Sequence, residues 1–206
     1  MIIELRSNRL KPGSVPTVEE RYGNALHGRN KLSPLGGFWH SETGTLNNIF
    51  NIWPFESYAE RERIRSEWTN VAGWPPPIEE FLLEQDTRLL RAAPFCPPIE
   101  ERHLGGVYEM CIDTYAARTI PKVIAYWQEK IEARQRLSPL VMCAFADTGV
   151  LNQLVHIWAY RDLQERQRVR AEAVDQGIWP PKSHTDGLLL KQENVLMTPA
   201  SFSPLR

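Results

Sequence analysis

The residues of this chain best suited to chemistry are His156, Glu109, Asp113 and Tyr160. Together they make a proton-transfer set. An imidazole oriented by a carboxylate is a competent general base near neutral pH, provided it reaches the substrate proton. In this reading His156 moves the proton, Glu109 or Asp113 orients it, and Tyr160 donates a hydrogen bond. Glu4, Asn51, Trp53, Phe55, Trp158 and Cys111 are the candidate substrate-binding lining. Cys111 has no activating neighbour in sequence and reads as a small apolar wall. His27 and His103 lack the spaced partners that a metal or haem site requires. His40 and Glu42 share one face of a hairpin arm, where polarity serves solvation and turns. The chain has no P-loop, GxGxxG, HExxH or GxSxG, which removes nucleotide hydrolysis and zinc proteolysis.

These positions are grouped by an internal duplication. Glu4 falls on Glu109 at an offset of 105 residues, and the same offset puts Leu32-Ser33-Pro34-Leu35 on Leu137-Ser138-Pro139-Leu140, Trp53 on Trp158, and Trp74-Pro75-Pro76 on Trp179-Pro180-Pro181. Beyond the Trp-Pro-Pro segments the register slips by two, so Phe95 meets Phe202. The period is the size of a small domain, not of a solenoid unit. Positions that stay alike, such as Trp53/Trp158 and Gly44/Gly149, serve the shared frame. Polar positions that diverged on one face are better candidates for a ligand: Asn51/His156, Phe55/Tyr160, His40/Phe145, Arg6/Cys111 and Asn8/Asp113.

The elements that position them repeat in the same order. Each half opens with a strand, Ile2–Leu10 and Val107–Tyr115. A helix follows, with Ser14 and Thr119 as expected N-caps and Pro16 and Pro121 in the first turn. Ile120, Val123, Ile124, Trp127 and Ile131 form an apolar stripe at helical spacing. A β-hairpin comes next, Gly37–Glu42 with Asn48–Phe55 and Met142–Asp147 with Gln153–Tyr160, around Gly44 and Gly149. Ser57…Glu60 and Asp162…Glu165 read as capping boxes for a second helix. The Trp-Pro-Pro segments stop helix continuation, and a last strand is expected near Thr87–Arg91 and Asn194–Thr198. The order β-α-β-β-α-β is that of ferredoxin-like domains. Repeat one spans 1–97 and repeat two 107–206, with 98–106 as connector.

On the third strand of each half, Phe50 and Ile52 (Val155 and Ile157) alternate with Asn51, Trp53 and Phe55 (His156, Trp158 and Tyr160). Neither set is fully polar, so both faces are buried. The expectation is that the aliphatic set meets the helices and the aromatic and polar set faces the opposite sheet. The two sheets then pack face to face within one chain, an α+β pseudo-dimeric barrel with a ligand cavity between the sheets.

Lys and Arg total 24 against 25 for Asp and Glu, and the arginines are interleaved with glutamates, which leaves no nucleic-acid footprint. No apolar run approaches a membrane span. Three cysteines without metal or disulfide spacing read as reduced thiols, and Met1 leads at once into the first strand. The expectation is a cytoplasmic protein.

Glu4-Leu5, Gly37-Phe38-Trp39, Glu42-Thr43-Gly44-Thr45-Leu46-Asn47, Val155-His156-Ile157-Trp158-Ala159-Tyr160, Leu163-Gln164-Glu165-Arg166, Gln192-Glu193-Asn194 and Phe202-Ser203-Pro204-Leu205 resemble the NIPSNAP family, nearly end to end and twice over. The resemblance implies the dimeric α+β barrel superfamily, similar in fold to cofactor-independent monooxygenases, lactone isomerases and haem-handling proteins. In animals the family is linked to mitochondrial and vesicular roles. Repeat one departs from the pattern, with Asn51 at the place of His156 and Pro54 at that of Ala159.

Two functional classes follow. One is an enzyme of isomerase, dehydratase or monooxygenase type acting on a small hydrophobic or aromatic molecule without a bound cofactor. The other is a non-catalytic binding or interaction protein, with the barrel as structural core. A pocket beside His156 and Trp158 favours the first, and a cavity filled by its own side chains the second. Partner expectations are that small molecule and no nucleic acid. A homo-oligomer built on the intrachain pseudo-dimer stays open.

Overall fold

The structure, a computed structural model, describes residues 1–206. Repeat one runs β1 (Ile2–Leu10), α1 (Val15–Arg29), β2 (Gly37–Ser41), β3 (Asn48–Phe55), α2 (Tyr58–Trp68) and β4 (Leu82–Ala92). Repeat two runs β5 (Val107–Tyr115), α3 (Ile120–Gln135), β6 (Leu140–Ala146), β7 (Gln153–Tyr160), α4 (Leu163–Asp175), the short α5 (Lys182–Thr185) and β8 (Leu189–Pro199). The strands close into one antiparallel barrel in the order β1-β3-β2-β8-β5-β7-β6-β4. Within each repeat the order is ferredoxin-like. The repeats join at two seams, β2 on β8 (His40 beside Thr198) and β4 on β6 (Arg91 beside Phe145). This is the tandem α+β barrel that the duplication implies.

Local chemistry explains most of the elements. Ser57 and Asp162 each accept a hydrogen bond from the backbone N–H three residues on, at 3.2 and 2.7 Å. Glu60 and Glu165 reach back to the N–H groups of Glu56 and Arg161, at 2.6 and 2.5 Å, one residue beyond the usual capping box. Gly44 and Gly149 turn the hairpins at φ +74° and +80°. The expected caps Ser14 and Thr119 do not cap. Their hydroxyls donate to the carbonyls of Lys11 and Ala116 instead, three residues back. The last strands are longer than expected. Glu84-Gln85-Asp86 and Lys191-Gln192-Glu193 look like loop in sequence, but they pair with β1 and β5 as exposed, polar stretches of strand. No helix is long and apolar enough to cross a membrane.

The assignment of sheet faces is inverted relative to the sequence expectation. Ile3, Leu5, Phe50 and Ile52 pack with Met110, Met142, Val155 and Ile157 in one buried cluster that joins both repeats. This cluster is the barrel interior. Trp39 and Tyr108 meet there with ring centroids 5.4 Å apart. The aromatic and polar set faces the helices of its own repeat: Trp53 and Phe55 pack with Val18, Leu26 and Ile64, and Trp158 and Tyr160 with Val123, Ile131 and Val169. An eight-stranded barrel is just wide enough for side chains to fill it. Compact aliphatic groups fill most of that space, where the Trp39 indole N–H and the Tyr108 hydroxyl are buried without a partner, whereas the imidazole and carboxylates find their partners in the helix layer. The expected cavity between the sheets is therefore packed core. Whatever site the polar residues form lies between sheet and helices.

Candidate functional site

Repeat two holds a cavity of about 350 Å³ on that helix side. Strands β5 and β7 run antiparallel, with Cys111 beside His156 and Glu109 beside Trp158. Alternation points Glu109, Cys111, Asp113, His156, Trp158 and Tyr160 the same way. Helix α3 adds Arg134, α4 adds Arg170 and Ala173, and the turn and short helix after α4 add Trp179, Pro180 and His184.

Asp113 is fully buried and is the hub of the site. Its Oδ2 accepts from Nε2 of His156 at 3.3 Å and from Nε2 of His184 at 3.1 Å, and its Oδ1 accepts from Gln192 at 2.9 Å. Burial alone would raise its pKa, but the hydrogen bonds from His156 and His184 outweigh it and hold the carboxyl well below its usual range. In His156 the second nitrogen is also taken: Nδ1 accepts from the indole N–H of Trp158 at 2.9 Å. Its ring is further pinned edge-on to Trp127, centroids 4.7 Å apart. With Nδ1 accepting and Nε2–H donating, His156 has no lone pair left for a substrate proton. His184 differs. Its Nε2–H is shared between Asp113 and Tyr115, 3.0 Å from the phenol oxygen, and its Nδ1 has no protein partner.

A second carboxylate, Glu109, is held as tightly. Oε1 accepts from Arg166 at 2.5 Å, Arg170 at 3.0 Å and Asn194 at 2.9 Å, and Oε2 accepts from Tyr160 at 3.3 Å. Burial raises its pKa, yet the bond and charge of Arg166, with Arg170 and Asn194, leave it below the ordinary value. Glu109 lies with its arginines and tyrosine, not with His156. Burial pushes the Tyr160 phenol up to about 12, so it stays a hydrogen-bond donor. Cys111 lines the cavity as a protonated thiol, its pKa raised by burial. Arg134 is buried, with its guanidinium carbon 4.1 Å from the Trp158 ring centroid and its NH groups donating to Ser138 at 2.8 Å and Tyr160 at 3.1 Å. No group of three or more His, Cys, Asp or Glu is arranged to hold a metal ion.

Repeat one keeps the frame and loses the chemistry. Glu4 pairs with Arg61 at 2.5 Å, as Glu109 does with Arg166. Asn51 accepts from the Trp53 indole at 2.7 Å, standing in for the Nδ1 of His156. Asn8 replaces Asp113 with its buried Oδ1 unpartnered, and Phe55 removes the phenol of Tyr160. The residues expected to bind substrate therefore divide. Trp158 and Cys111 join the cavity, whereas Glu4, Asn51, Trp53 and Phe55 are buried in repeat one, Phe55 beside a separate groove with Leu32 and Pro34.

Several site residues escaped sequence reasoning, among them Arg134, Arg170, Ala173 and His184. Arg134 had a signal, because Arg29 matches it at the common offset, and a charge kept in both copies near a helix end marks a buried partner. His184 had none: it follows the Trp-Pro-Pro break, where the two copies differ in length.

The NIPSNAP family model matches residues 3–97 and again residues 108–204, one match for each repeat. The chain belongs to the NIPSNAP family. It is similar to human Protein NipSnap homolog 3A, at 27% identity over 218 residues that cover 98% of this chain and 85% of the relative. The NIPSNAP barrel also resembles the crystal structure of a Lactobacillus acidophilus protein provisionally named a monooxygenase, with TM-score 0.70 and 8% identity over 97% of this chain and 94% of that one. A mutant chlorite dismutase from Candidatus Nitrospira defluvii gives TM-score 0.54 at 8% identity, covering 98% of this chain and 92% of that chain. At such identities these likenesses concern the fold alone.

Proposed function

We propose that this NIPSNAP protein binds a small hydrophobic or aromatic molecule in the helix-side cavity of repeat two and moves a proton on it. The observation that carries the reading is one buried carboxylate, Asp113, tied to two imidazoles beside a cavity of about 350 Å³. That volume suits a small ligand. His156, which the sequence favours as the base, has both nitrogens engaged, so its role here is to position Asp113 and Trp158. His184 takes the proton at Nδ1, while Nε2–H stays on Asp113 and Tyr115. An acidic C–H beside a carbonyl is the kind of group such a base abstracts, as in an isomerase, dehydratase or monooxygenase-type reaction without a resident cofactor. Arg134 and Arg170 offer donors to the oxygen on which negative charge develops, while the Tyr160 O–H stays on Glu109.

The test is solvent-deuterium exchange at the α-carbon of a small enolisable aryl ketone, followed by NMR. The expected result is catalysed exchange that His184→Ala lowers by roughly 10²–10⁴-fold and Ala173→Trp abolishes by filling the cavity. Equal exchange in wild type and His184→Ala removes the catalytic reading. The alternative is a non-catalytic binding protein, favoured by the full engagement of His156. It predicts ligand uptake blocked by Ala173→Trp with no exchange in any variant.

A further inference from the structure

Repeat one contains, as part of its own chain, what the cavity of repeat two is shaped to receive. Trp68 is the last residue of α2 and only partly buried. Its ring centroid lies 5.8 Å from the Arg6 guanidinium carbon, 5.6 Å from that of Arg29, 4.7 Å from that of Arg65 and 6.3 Å from the Trp74 ring. At the common offset Trp68 becomes Ala173, and its neighbours become Cys111, Arg134, Arg170 and Trp179. All of them line the cavity. The open volume of repeat two thus stands where an indole stands in repeat one.

We infer that the ligand carries a planar, indole-sized aromatic ring that takes the place of the Trp68 indole, with its face toward the Arg134 and Arg170 guanidiniums. This deepens the reading of the pocket as a small-molecule site by naming the ring and its contact. Arg29 is flanked by three indoles, with centroids at 4.2, 5.6 and 5.8 Å. Arg134 has two, at 4.1 and 5.9 Å, and its third side opens to the cavity. A buried guanidinium is attracted to an aromatic face through the ring quadrupole, which a saturated ring of the same size lacks. The change from Arg6 to Cys111 keeps a long side chain out of the same space. The His184 imidazole packs 6.0 Å from the Trp179 ring, but no third indole flanks Arg134.

Native mass spectrometry with calorimetry tests this, with indole and cyclohexanol as probes. Wild type is expected to bind one indole per chain, about tenfold tighter than cyclohexanol, and Ala173→Trp none. The double variant Arg6→Cys/Trp68→Ala, which copies repeat two into repeat one, is expected to bind a second indole. Thermal melts establish folding, and if the double variant does not fold, the Ala173→Trp and probe comparisons decide. Cyclohexanol binding as tightly as indole, with both lost in Ala173→Trp, overturns the aromatic ring and leaves the pocket standing. Failure of both probes to bind wild type, or indole binding untouched by Ala173→Trp, overturns ring and pocket together. A folded double variant that takes no second indole overturns the use of Trp68 as template.

Discussion

Repeat one and repeat two are built alike and filled differently. Both stack a buried arginine on the tryptophan of the third strand, at 4.2 Å in repeat one and 4.1 Å in repeat two. Both anchor a first-strand glutamate with arginines from the second helix. In repeat one Trp68 and Arg6 occupy the space between these groups; in repeat two a cavity lies there, lined by Cys111 and by Ala173, which itself has no exposed surface. A duplicated fold can thus keep one half as scaffold and free the other, because sheet, helices and arginine anchor are held by residues common to both. The polar substitutions follow the open half: His156 for Asn51, Asp113 for Asn8, Tyr160 for Phe55.

If the shared frame is equally important on both sides, truncating it costs the same in either repeat. Trp53→Ala and Trp158→Ala are each expected to destabilise by about 3–5 kcal/mol, measured by urea unfolding. A large difference between the two would break the equivalence of the halves.

Asp113→Asn sharpens the contrast, since it writes the residue of repeat one into repeat two. It weakens the bonds to His156 and His184 at a cost of about 1–3 kcal/mol at neutral pH. The sign of its pH dependence is fixed by the depressed native pKa of Asp113. Its contribution is fully present above the unfolded value of about 3.9 and is lost as pH falls through the native value. Wild type therefore loses stability steeply on acidification below about pH 4, and Asp113→Asn less so. Equal acid slopes in urea titrations would show that Asp113 is not the source.

The smallest effect belongs to repeat one. His40 is raised in pKa by its hydrogen bond to Glu19, 2.7 Å away, and by Glu42 at 3.2 Å. Its stabilisation is fully present below about pH 6.5 and is lost as pH rises through the native value. Phe145 occupies the equivalent place in repeat two. His40→Phe is expected to remove a stability change of about 1 kcal/mol or less between pH 6 and 8. Thermal melts across that range check it, and a slope unchanged in the variant contradicts it.

Much of this was readable in the residues themselves. The 105-residue offset carries the element order, the Ser57 and Asp162 caps and the pairing of first and third strands, because local propensities repeat in register. It also singles out His156, Asp113, Glu109 and Tyr160, which the structure puts on one face. What alternation could not supply is which face is inside. The 2.0 period separates Ile157 from Trp158 without saying which of them meets the helices, and only barrel closure decides. His184 was hidden by the change of length after Trp179-Pro180-Pro181, where no counterpart remains for comparison. Ala173 looks like any helical alanine until Trp68 is seen to fill the same place.

The most direct measurement is a crystal structure of the protein soaked with indole. The account predicts ring density in repeat two between Ala173, Arg134 and Trp179, and none in repeat one beside Trp68. Density inside the barrel between Trp39 and Tyr108, or against Arg29 in repeat one, would contradict it.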